Sequence, residues 1–74
     1  MTSIETSDIV LAAALKVAGC PLDSIKKDGR RGVFCFSSVD DALVEDFNLG
    51  RARVEPVSFN NAVRALTTAA KRVL

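Results

Sequence analysis

Leu22-Asp23-Ser24-Ile25-Lys26-Lys27-Asp28-Gly29-Arg30-Arg31-Gly32-Val33-Phe34-Cys35-Phe36-Ser37 decides the fold. Two runs in which apolar and polar residues alternate flank an Asp-Gly pair, the pattern of a β-hairpin. Asp28-Gly29 reads as the two-residue turn, because both central positions of the favoured turn need a positive φ, which Gly adopts freely and Asp tolerates. The strands then cover about Leu22 to Lys27 and Arg30 to Ser37, and Lys27 opposes Arg30. Ile25, Gly32, Phe34 and Phe36 fall on the side expected to pack on helices, while Ser24, Lys26, Arg31, Val33 and Cys35 fall on the other. Lys26, Lys27, Arg30 and Arg31 crowd the tip. Directly opposed like charges destabilise a strand pair, and Asp28 relieves this only in part, so an anionic partner, phosphate or an acidic protein surface, suits the tip. Charge that blunts an exposed sheet edge against association is the alternative reading.

Upstream of the hairpin, Thr6, Ser7 and Asp8 offer N-caps to a helix whose apolar stripe is Ile9, Val10, Leu11, Ala14, Leu15 and Ala18. Gly19 supplies its C-terminal cap and Pro21 prevents continuation, which bounds it at about Ser7 to Ala18. Downstream, Ser37 and Ser38 are expected to cap a second helix, with Asp41 in capping-box position, Ala42, Leu43 and Phe47 facing inward and Gly50 as the stop. Arg51-Ala52-Arg53-Val54-Glu55 alternates strictly and predicts a short strand or extended link ended by Pro56. Added to the hairpin edge, that segment would unite Arg51 and Arg53 with Lys26 and Arg31. Ser58 then caps a last helix with Phe59, Val63, Leu66, Ala70 and Val73 on its inner face. Arg64, Thr68 and Lys71 share one outer stripe that can follow a phosphate backbone, although cations near a helix C-terminus also simply complement its dipole.

Composition bounds what the chain can be. Seventy-four residues, 49% of them hydrophobic, make one small domain with a thin core. No run approaches the apolar length of a membrane span, and the N-terminus Met1-Thr2-Ser3-Ile4-Glu5 lacks secretory character, so a cytoplasmic protein with reduced Cys20 and Cys35 is expected. Net charge is only +1, but it is unevenly placed: residues 26–31 carry four cations and one anion, residues 40–46 carry four anions, and the last eleven carry three cations and no anion. The chain has no His, no nucleotide-binding Gly-rich loop and no nucleophile beside a base, which argues against an enzyme and against any cofactor. The carboxylates of Asp40, Asp41, Glu45 and Asp46 lack the spacing of a calcium loop, so capping and solvation explain them better than a metal site.

The order α-β-β-α-(β)-α predicts an α+β fold, a single small domain over residues 1–74 with its ordered core at about 7–73 and helices packed on one face of a small antiparallel sheet. A further likeness rests on Ser7-Asp8-Ile9 with Leu11-Ala12-Ala13 and Gly19, on Asp28-Gly29-Arg30-Arg31 leading to Phe34-x-Phe36, and on Gly50-Arg51-Ala52-Arg53-Val54-Glu55-Pro56 with Phe59, Ala62 and Leu66. On these residues the chain resembles a short domain-of-unknown-function family of bacteria and phages, from about Ser7 to Val73. The resemblance implies a phage or mobile-element setting and no catalytic residues.

A binding role is therefore expected. The leading reading is a nucleic-acid accessory protein whose contacts are Lys26, Lys27, Arg30, Arg31, Arg51, Arg53, Arg64 and Lys71. The alternatives are an adaptor or inhibitor of a host protein, of the anti-defence kind, and a virion-associated structural protein. Thin-core arithmetic adds an expected homodimer, through the Ala-rich flank of the first helix or the hairpin face bearing Val33 and Cys35.

Overall fold

The computed structural model describes residues 2–73. Its elements are β1 (Thr2–Thr6), α1 (Ile9–Val17), β2 (Leu22–Asp28), β3 (Arg31–Val39), α2 (Asp41–Asn48) and α3 (Pro56–Val73). The three strands form one antiparallel sheet in the order β1-β3-β2. Helices α1 and α3 pack on each other over one face of it, and α2 lies against α1. The α+β class and the one-sided helical cover are as expected. The element order differs at two places: the sheet gains an N-terminal strand, and residues 51–55 are irregular rather than a strand.

The hairpin register is displaced from the expected one. Asp28 opposes Arg31, Lys27 opposes Gly32 and Ile25 opposes Phe34, so the two-residue loop is Gly29-Arg30 and not Asp28-Gly29. Gly29 takes φ +62° while Arg30 has no positive φ, the pattern of a turn with Gly at its first central position. The pairing shifts by one residue on each strand, which preserves parity. Ile25, Phe34 and Phe36 therefore still face the helices, and Ser24, Lys26, Arg31, Val33 and Cys35 still face away.

A second irregularity brings Val39 into the core. Ile4 opposes Phe36 and Thr2 opposes Val39, so Ser37 and Ser38 together stand across from Ser3. Strict alternation would put Val39 on the open face with Cys35. The extra residue, with Ser38 in the left-handed region at φ 56°, reverses the alternation and leaves Val39 fully buried. Ser38 thus lies within β3 instead of capping α2. Asp40 is the N-cap, its side chain accepting from the Ala42 N–H at 3.0 Å.

The core is Ala12, Ala13, Leu15, Cys20, Phe34, Phe36, Val39, Ala62 and Leu66. Ala12 and Ala13 are both fully buried, so the slim flank of α1 is already used inside the domain and is not a free dimer surface. Val10 and Ala18, expected to point inward, are exposed. Asp8 caps α1 by accepting from the Val10 and Leu11 N–H groups. α3 begins at Pro56, whose missing N–H costs nothing in a first helical turn. Its cap is Glu55, not Ser58: the Glu55 carbonyl accepts from the Phe59 N–H, and its carboxylate accepts from the Ser58 N–H.

Candidate functional site

The close approach of α3 to the hairpin builds a basic end on the molecule. A Cβ on Gly32 would lie 3.2 Å from Ala70 Cβ, so the last turns of α3 rest on the hairpin near its tip. Lys27, the partner of Gly32 across the strands, shares its face and stands beside α3. Arg30 lies two residues before Gly32, in the loop at the hairpin tip. Lys71 and Arg72 directly follow Ala70, while Arg31, opposite Asp28, emerges on the other face. Lys27, Arg30, Arg31, Lys71 and Arg72 are all exposed. The only ion pair among the described residues is Lys26 with Glu5, so none of these five has a carboxylate partner there. Asp28 is the single acidic residue in the tip sequence. Lys27 and Arg30 thus stand at the tip and Lys71 and Arg72 on the helix end that rests near it, with Arg31 on the opposite face of the sheet, a basic end whose guanidinium and ammonium groups can donate to phosphate oxygens.

Lys26 behaves differently from its neighbours. Its Nζ reaches Glu5 Oε1 on β1 at 3.4 Å, crossing the open face of β3 between Val33 and Cys35. Both side chains are more than half exposed, so this pair contributes little stability by itself. It does cover Cys35, whose Sγ lies 3.8 Å from the same Glu5 oxygen and which is buried without any helix above it. Cys20 lies in the core on the helical side. Both cysteines are free thiols. Burial pushes the Cys20 thiol up from its ordinary value, and the Asp40 carboxylate adds to the shift, which disfavours the reactive thiolate.

Arg64 is exposed on α3, two turns before Lys71 on the same stripe and about 10 Å away along the axis. It extends the basic end along the helix. Arg51 and Arg53 do not join it. The expected union with Lys26 and Arg31 required residues 51–55 to pair with the hairpin edge; instead these residues cross from α2 to α3, tied to α2 by the Arg51 and Ala52 N–H groups donating to the Asp46 carbonyl. Glu55 and Ala70 are fifteen residues apart on α3 and its cap, which places this link about 22 Å from the hairpin contact. Arg51 and Arg53 there line a cleft of about 290 Å³ with Asp46 and Glu55, over a floor of Leu11, Ala14, Leu43 and Phe47. An adjoining hollow of about 260 Å³ is lined by Val10, Ala14, Phe47, Gly50, Ala52, Val54 and Phe59.

Pattern reading of the sequence omitted Arg72 from the site and did not foresee the cleft. Gly32, a residue without a side chain inside a strand, is the sequence signal for the close approach of α3 and its C-terminal cations. Among the described residues no group of three or more His, Cys, Asp or Glu side chains is placed to hold a metal ion, and no helix is long and apolar enough to cross a membrane. Comparison with protein-family models, with curated proteins and with solved structures finds no match.

Proposed function

We propose that this chain is a small non-enzymatic accessory protein of a phage or mobile element, acting in the bacterial cytoplasm and binding nucleic acid through phosphate contacts at its basic end. One observation supports the reading: packing of α3 on Gly32 brings the helix end that carries Lys71 and Arg72 to the hairpin that carries Lys27, Arg30 and Arg31, and none of the five has a carboxylate partner among the described residues. A net charge of +1 makes the attraction local to that end instead of spread over the surface. None of the four Phe side chains is exposed, since Phe34 and Phe36 are buried and Phe47 and Phe59 half-buried. Base stacking therefore has no platform, and phosphate contact to a duplex, with little sequence preference, is the mode the residues favour. The phage or mobile-element setting rests on the family resemblance. The same five cations also suit an acidic protein surface, and the apolar hollow beside Phe47 favours a protein-facing adaptor or inhibitor as the second reading.

A fluorescence-anisotropy titration of an arbitrary DNA duplex across a series of salt concentrations tests this. Affinity should fall log-linearly with salt, with a slope no steeper than about −4.5 if all five cations each neutralise one phosphate. Absence of binding at low salt, or binding indifferent to salt, would reject phosphate contact and leave the protein-facing reading.

A further inference from the structure

The cleft of about 290 Å³ remote from the hairpin brings apolar surface and unpaired charge of both signs into one concave space. Leu11, Leu43 and Phe47 line it, and all three are only half-buried although they belong to the apolar stripes of α1 and α2. Arg51, Arg53, Asp46 and Glu55 line it as well. None of these four is in an ion pair, since the only one among the described residues joins Lys26 to Glu5. Glu55 is already engaged: its carboxylate accepts from the Ser58 N–H at the start of α3. That leaves two guanidinium groups and the Asp46 carboxylate without an ionic partner among the described residues. Main-chain bonds hold the frame in place, because the Arg51 and Ala52 N–H groups donate to the Asp46 carbonyl at 2.7 and 3.2 Å. The adjoining hollow beside Val10 and Phe59 has no charged residue in its lining.

We propose that this cleft binds a small zwitterion with an apolar tail, of the class of a free α-amino acid with a branched or aromatic side chain. Charge and size select this ligand. A guanidinium group matches a carboxylate through two parallel hydrogen bonds, and the Asp46 carboxylate matches an ammonium group. A ligand with a carboxylate alone leaves Asp46 unpaired beside a second anion, and one with an ammonium alone meets Arg51 and Arg53. The end of a peptide carries only one of the two charges, whereas a free amino acid carries both. Its side chain then covers the apolar surface of Leu11, Leu43 and Phe47. The volume stands just below the range of about 300–1,000 Å³ of sites for drug-sized molecules, which suits a smaller ligand. The site shares no residue with the basic end, so its failure and the failure of nucleic-acid binding are independent.

Titration of the full chain with L-leucine and L-phenylalanine, followed through its backbone amide signals by NMR, tests the proposal. Saturable shifts should appear at Arg51, Ala52, Arg53 and the residues of α2 that line the cleft, and not at the hairpin tip. Isocaproate and isoamylamine, which are leucine without its ammonium and without its carboxylate, should each bind about tenfold or more weakly than leucine, because each leaves a charged group unpaired. Asp46→Asn should weaken leucine by a similar factor and leave isocaproate no weaker, while Arg51→Gln with Arg53→Gln should weaken both. The same spectra report whether each variant keeps its fold. Arg30→Glu with Arg31→Glu should leave leucine binding unchanged. No saturable shift with either amino acid, or isocaproate or isoamylamine binding as tightly as leucine, would overturn the assignment.

Discussion

Gly32 lies beneath Ala70, and a Cβ added to Gly32 would come within 3.2 Å of Ala70 Cβ and 3.7 Å of Ile25 Cγ2. This contact joins the hairpin to α3 and so determines how the two basic segments meet. Gly32→Val should cost about 1–3 kcal/mol through overpacking, because the nearest atom is Ala70 Cβ, fixed to the backbone of α3 and unable to swing aside. It should also weaken duplex binding by moving Lys71 and Arg72 away from Arg30. Gly32→Ala asks Ala70 to yield by only a few tenths of an ångström and should be nearly neutral. Chemical denaturation with parallel duplex titrations checks both effects; a fully stable, fully binding Gly32→Val variant would show that the contact is loose.

Ser38 is the only residue other than glycine with a positive φ among the described residues, and that conformation turns Val39 inward. Ser38→Val should destabilise by about 1–2 kcal/mol, since a branched Cβ is poorly accommodated in the left-handed region. Ser38→Gly should be tolerated. Equal denaturation midpoints for the two variants would mean that the bulge does not depend on this backbone conformation.

Glu55 is held below its ordinary value by the Ser58 N–H above all, with the Val57 N–H assisting. A carboxyl whose folded value is lowered stabilises the fold above its unfolded value, here 4.5, and that contribution is lost as pH falls through the folded value. Glu55→Ala should therefore melt at a lower temperature than wild type at neutral pH, and the difference should shrink as the pH is taken below 4.5. Melting curves followed by circular dichroism test this. A gap independent of pH would assign the effect of Glu55 to something other than its charge.

The hairpin, the three helices and the helical cover over one sheet face were legible because each rests on local punctuation: Gly19, Gly29 and Gly50 all take positive φ where a cap or turn needs it. Strand β1 was not legible. Thr2-Ser3-Ile4-Glu5-Thr6 is an edge strand that turns one face to water, and Ile4 is its single large apolar residue. Of the two readings of residues 51–55, strand or link, the link holds, since alternation by itself forms no strand when β1 and β2 occupy the sheet edges. The loop register was missed because Asp-Gly is the stronger turn signal, yet Gly29-Arg30 closes the hairpin with a single positive φ, and the core faces survived only because the shift kept parity. Of the candidate contacts, Lys27, Arg30, Arg31 and Lys71 come together, Arg64 extends them, Lys26 is paired with Glu5, and Arg51 and Arg53 stand at the far end. That division rests on tertiary contacts: α3 against Gly32, β1 beside β3 with Glu5 in reach of Lys26, and the 51–55 link tied to α2.

The most direct test compares two charge reversals of equal size at opposite ends of the molecule, read by duplex affinity as a function of salt. Arg30→Glu with Arg31→Glu should abolish measurable binding while changing stability by no more than about 0.5 kcal/mol, as exposed tip residues do. Arg51→Glu with Arg53→Glu should leave the affinity close to wild type and the salt slope unchanged. Equal losses from both pairs would reduce the attraction to net charge alone, and an unaltered affinity in the hairpin pair would contradict a phosphate site at the basic end.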